Sequence, residues 1–320
     1  MFFRFMILKF SRRMAFAILS SVLLSTAILA DDESCFEQFK SSICSLNENG
    51  EKLCGEQHAQ NQPYIEKLGT VFELMPPISQ KLMCSLSGIE IVDDMGNADG
   101  RYFDETRSVR VIKDVFEPNK GIYQTLLIYE ESTIEIHSES EVLISAEQLK
   151  DRKLLTIPEG RLYWVLTHEI GHHLDEIATF DTSFSCLNND SGGNRFGAPY
   201  FYDVLENFDG SGALIPAKAM PELYEWLNQN AFVSMYALTG DYEDFAETFA
   251  YYILFHKTSA FLQFKVDGKE VYSTRSSAFT ESKAKKFATL EYLIDAYMAD
   301  DDTVGLKMLT CDYLDELDIN

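Results

Sequence analysis

The sequence predicts an α+β fold: a small mixed sheet with a long helix on one face, a helical C-terminal part behind it and a small Cys-rich helical region in front. Three observations predict it. Residues 156–177 place Leu162, Val165, Leu166, Ile170 and Leu174 three and four apart, the period of a helix that buries one face. Residues 87–92, 108–112, 123–129 and 133–138 are short β-favouring runs, so three or four strands precede that helix. Four of the six cysteines, Cys35, Cys44, Cys54 and Cys84, fall within a polar, helical-looking stretch at 31–85.

The 320 residues suffice for a substantial core, and a 46% hydrophobic fraction excludes a disordered chain. Residues 1–30 stand apart. Arg4, Lys9, Arg12 and Arg13 precede an uncharged apolar run that ends at Ala30 before Asp31-Asp32, the layout of a cleavable signal peptide. An export leader predicts a secreted or periplasmic protein, with no stable membrane association once the leader is removed. The even number of cysteines then predicts disulfides, the first four pairing among themselves and Cys186 with Cys311 across the main domain. The formal net charge of −24 argues against nucleic acid or anionic lipid as partner.

The predicted domain order is a signal peptide (1–30), a Cys-rich region (31–85) and a main domain (86–320). Its principal helix begins at a capping box, Thr156 with Glu159, with Pro158 in the first turn. Residues 181–222, rich in Asn, Ser, Gly and Pro, read as a long loop or small subdomain. Helices are expected over 220–228, over 241–256 with Asp241 as N-cap and Asp244 at its N3 position, and over 280–298. Asp267-Gly268 reads as a tight hairpin turn.

Within 156–177 stands His168-Glu169-Ile170-Gly171-His172. Residues four apart share a helical face, so both imidazoles reach one ion, whereas Glu169 is turned about 100° away, beside the ion. That is the HExxH arrangement of zinc hydrolases, with Glu169 placed as the base for a water. A catalytic zinc needs a third protein ligand. The Gly and third His that continue this motif in metzincins are replaced by Asp175 and Ala178, which excludes that class. The candidates are Glu243 and Glu247, four apart on an otherwise apolar helix, where carboxylates need a cation or a hydrogen-bond donor. Glu243 can bind Zn2+, and Glu247 can accept the N–H of a ligating imidazole, His168 foremost. Asp175, three residues beyond His172, could orient a ligand, and His173 points to another face.

HEIGHH, followed by Tyr236, six residues and Glu243-Asp244-Phe245-Ala246-Glu247-Thr248-Phe249, resembles the gluzincin metallopeptidases of the anthrax lethal factor and Pro-Pro endopeptidase type. The resemblance covers residues 156–256. It implies a zincin-like metallopeptidase domain, zinc on His168, His172 and Glu243, and a Tyr236 that assists the transition state. The connection from His172 to Glu243 is longer than usual there, the Cys-rich region has no counterpart, and proline-directed specificity is not implied. The expected function is zinc-dependent peptide hydrolysis on a protein or peptide substrate. A cell-wall peptide amidase uses the same chemistry. A non-catalytic zinc-binding protein is the alternative of another class, against which the intact Glu169 argues.

Overall fold

A computed structural model describes residues 35–117 (except 48 and 97), 144–146, 158–178, 220–257 and 262–299 (except 267 and 268). The leader, the strands expected over 123–129 and 133–138, the loop over 181–219 and the Cys186–Cys311 pair lie outside the described residues.

Five strands form a mixed sheet in the order β2-β1-β3-β5-β4. They are β1 (Ile43–Leu46), β2 (Lys52–Cys54), β3 (Gly88–Val92), β4 (Gly100–Phe103) and β5 (Ser108–Ile112). Strands β1, β3 and β5 run parallel, and β2 and β4 close the two edges antiparallel. The buried Ile89, Ile91, Val109 and Val111 explain why β3 and β5 lie inside the sheet. Strand β1 corrects the expected boundary at residue 85. The Cys-rich stretch is not a cap in front of the main domain; it supplies two strands of the same sheet. Its disulfides pair as expected among the first four cysteines, Cys44 with Cys54 across β1 and β2, and Cys35 with Cys84. Cys84 belongs to helix α2 (Pro77–Ser85), which follows helix α1 (Gln62–Leu74); each has proline in its first turn.

Helix α3 (Gly160–Ile177) packs against β4, α1 and α2, burying Leu162, Val165, Leu166, Ile170 and Leu174. It starts later than expected. Glu159 stands at the N-cap without a side-chain cap bond and Pro158 precedes the helix, whereas Thr156 lies outside the described residues. Arg161 in the first turn instead forks onto Asp99, directly before β4, with Nε 2.7 Å from Oδ2.

Helix α4 (Met220–Gln229) packs on the hairpin of β7 (Gln263–Val266) and β8 (Lys269–Ser273), to which β6 (Ile144–Ala146) adds a third strand. In the hairpin Val266 pairs with Lys269, and the expected turn residues Asp267-Gly268 lie outside the described residues. Helix α5 (Asp241–Tyr251) continues as one π-helical stretch, Tyr252–His256. Its N-cap is Gly240 rather than Asp241. Asp244 is no cap either: it is buried and receives the equally buried Lys286 ammonium, 2.7 Å from Oδ1. Lys286 comes from helix α6 (Ser277–Met298), which starts three residues before its expected beginning because Ser276 Oγ accepts the Phe279 N–H at 3.1 Å. Among the described residues no helix is long and apolar enough to cross a membrane.

Candidate metal centre

The centre forms where α3 crosses α5. Gly171 makes the crossing close: a Cβ there would stand 2.9 Å from Ala246 Cα and 3.1 Å from Ala246 O. With glycine on one helix and alanine on the other, the backbones approach until Glu243, about one turn before Ala246, and Glu247, directly after it, reach the histidines. Three of those side chains converge. His168 Nε2 lies 3.1 Å from Glu243 Oε2 and 3.1 Å from His172 Nε2, and His172 Nε2 lies 3.4 Å from Glu243 Oε2. Tetrahedral zinc with bonds of about 2.0–2.1 Å sets its ligand atoms about 3.3 Å apart. The triangle matches that spacing, and two imidazole nitrogens with one carboxylate oxygen are a donor set zinc takes. The residues present therefore fit the ion.

Around the triangle the partners differ. His168 Nδ1 faces Glu247 Oε1 at 3.0 Å, so Nε2 is left to look toward Glu243 and His172. Glu247 Oε2 in turn accepts the Ser234 hydroxyl at 2.7 Å, and Ser234 Oγ accepts the Ala237 N–H at 3.0 Å. Ser234 carries no sequence signal, since a serine near a helix start is common. His172 has no such partner: its Nδ1 is buried without a hydrogen bond among the described residues. The ring of Tyr242, itself 45% exposed, is stacked on it at 3.8 Å between centroids and 15° between planes.

Glu169 is 5% exposed and makes no part of the triangle. Strand β4 walls it in. A Cβ on Gly100 would come within 2.8 Å of Glu169 Oε1 and 2.5 Å of Val165 Cγ1, so only glycine lets the edge strand lie this close. Burial pushes the Glu169 carboxyl up to about 7, against the pull of His168 and with the Glu243 charge adding to the rise. His172 is pushed down to about 4 by the same burial. Glu243 goes the other way: burial would raise it, but its hydrogen bonds to His168 and His172 hold it well below the usual carboxylate range.

Tyr236 opens the short 3-10 turn Tyr236–Thr239, its ring 5.8 Å from that of His168. Burial and then the charges of Glu243, Glu247 and Glu169 raise its phenol above the ordinary value, keeping it a donor. Among the described residues no hydrogen bond joins Asp175 to the second nitrogen of either imidazole: His172 Nδ1 has no partner there, and His168 Nδ1 faces Glu247. His173 does face elsewhere, as expected. It sits buried between Ser85 Oγ (2.9 Å from Nε2) and the Tyr102 phenol (2.9 Å from Nδ1), and Tyr102 donates to Glu176. This network ties α3 to α2 and β4.

No curated protein and no solved structure matches the chain significantly. A family model described as "Putative zinc-binding metallo-peptidase" matches residues 147–306, half of the sequence, including both helices of the centre. The chain belongs to this family of zinc-binding metallopeptidases.

Proposed function

We propose that the protein is an exported zinc endopeptidase of the gluzincin, lethal factor-like type, with a zincin-like catalytic domain. One observation carries the reading: His168, His172 and Glu243, from two helices distant in sequence, bring their donor atoms within 3.1–3.4 Å of one another with a buried Glu169 alongside. His168, His172 and Glu243 would hold zinc, which when bound would supply a Lewis acid for the scissile carbonyl and for the attacking water. Glu169 takes the proton of that water and passes it to the leaving amine. Its carboxyl near 7 is poised for both transfers, and a cation on the three ligands favours the ionised, accepting form. Tyr236 donates its O–H to the oxyanion that develops on the carbonyl. Glu247 holds His168 in the tautomer that leaves Nε2 for the ion.

Export is supported by the basic and apolar leader at 1–30 and by the two disulfides, which persist in oxidising compartments. It gives a secreted or periplasmic location and a protein or peptide substrate there. The test is Glu169→Gln. It should keep stoichiometric zinc and lose turnover of an unstructured protein substrate. Chelator-sensitive hydrolysis that persists in the variant would overturn the role of Glu169. Zinc binding with no cleavage of any peptide by the wild type would favour a binding protein.

A further inference from the structure

The two imidazoles of the centre are held by different means. His168 has the common arrangement, its second nitrogen hydrogen-bonded to a carboxylate. His172 lacks it. Its Nδ1 is enclosed with no hydrogen-bond partner among the described residues, so no hydrogen bond on that side of the ring fixes its rotation about χ2. What does lie against it is the face of Tyr242, near enough and near enough to parallel to make full contact.

Tyr242 is an unusual choice for that duty. It stands in the first turn of α5, immediately before Glu243, so the turn that delivers the carboxylate also delivers the ring. It is nearly half exposed, which means that the hydrophobic core does not hold it in place. From these facts we infer that Tyr242 is a positioning residue for the metal: by stacking on His172 it sets the imidazole plane that a hydrogen bond sets for His168. The proposal rests on the zinc-site reading above and deepens it. The face-to-face contact blocks ring rotation while leaving Nε2 in the triangle, and it shields the imidazole from water on one side. A metal ligand preorganised in this way loses less freedom on binding the ion.

Zinc affinity is the readout, measured by competition with a chromophoric chelator on the full-length mature protein. Cobalt(II) absorption reports the coordination geometry independently. Replacing a partner that orients a ligand lowers metal affinity by about 10- to 100-fold. Tyr242→Ala and Tyr242→Leu should both fall in that range and change the cobalt spectrum, and Tyr242→Phe, which keeps the ring, should stay within about 2-fold of wild type. The leucine variant carries the test if alanine compromises folding. Unchanged affinity in Tyr242→Leu overturns the proposal, and so does a Tyr242→Phe loss as large as that of leucine, which would assign the effect to the hydroxyl. A wild type that binds no zinc, or a His168→Ala variant that binds it as tightly as wild type, would instead sink the site reading beneath it.

Discussion

Gly171→Ala puts the helix crossing to a sharp test, because two effects of opposite sign compete at that residue. In a helix interior, alanine is favoured over glycine by about 1 kcal/mol, so a tolerated change would stabilise the protein. Here the new Cβ would meet Ala246 Cα at 2.9 Å, against an ordinary carbon contact of about 3.5–4.0 Å. The obstacle is backbone and cannot swing aside, so α3 and α5 must part by roughly 0.6–1 Å. Overpacking of this kind costs about 1–3 kcal/mol, which cancels the propensity gain and leaves a net loss of up to about 2 kcal/mol. The same displacement widens the gaps between Glu243 and the imidazoles by more than the about 0.2 Å that a metal site tolerates, and zinc affinity should fall at least about 10-fold. Urea unfolding in the presence of a chelator reads the first effect, and chelator competition reads the second. Ala246→Gly should not rescue either, since the clashing atoms are Ala246 Cα and O. A Gly171→Ala protein about 1 kcal/mol more stable than wild type, with unaltered zinc affinity, would refute the close crossing as the device that assembles the centre.

Other consequences are equally specific. Asp244→Ala leaves the buried Lys286 ammonium without its carboxylate and should cost about 3–5 kcal/mol in denaturant unfolding, whereas Asp244→Leu combined with Lys286→Met should recover most of it. A loss no larger than that of a surface substitution would show that the pair is not enclosed. Lys283 is buried beside Lys286, and burial first, then that neighbour, lowers its pKa well below 10.5. Unfolding therefore takes up a proton between its folded value and 10.5, so this group makes stability rise with pH in that window. Stability curves from neutral to pH 10 should show that rise shrinking in Lys283→Met; identical slopes would contradict it. Tyr236→Phe should keep zinc and lose about 10²–10³ in kcat, with KM much less affected, if the phenol donates only in the transition state. Equal kcat in the two proteins would remove Tyr236 from the chemistry.

What could be read ahead of the structure follows the range of the interactions. The helix bearing His168 and His172 announces itself through a local period and a local motif. Glu243 and Glu247 stand out because carboxylates on an apolar helical face need a reason. Strand β1 is not legible because Ile43–Leu46 is short and joins the rest of the sheet through parallel pairing with β3, more than forty residues on. Asp244 read as a helix-start residue because Asp is common there. Its true partner, Lys286, comes from another helix and leaves no mark on the neighbouring sequence. The same holds for Gly100, Ser234 and Tyr242, whose parts in the centre are contacts across elements. The start of α3 is displaced from the local pattern for the same reason: a tertiary contact, Arg161 with Asp99, anchors its first turn where it begins at Gly160.

The third ligand decides the account. Zinc titration of wild type and Glu243→Ala, by competition against a chromophoric chelator, measures it directly. One zinc per wild-type chain is predicted, and the variant should lose more affinity than the roughly 100-fold that removal of a mere orienting partner costs. Equal affinity in the two proteins would mean that the carboxylate from α5 is no ligand, and the metallopeptidase centre drawn from the crossing of these two helices would be wrong.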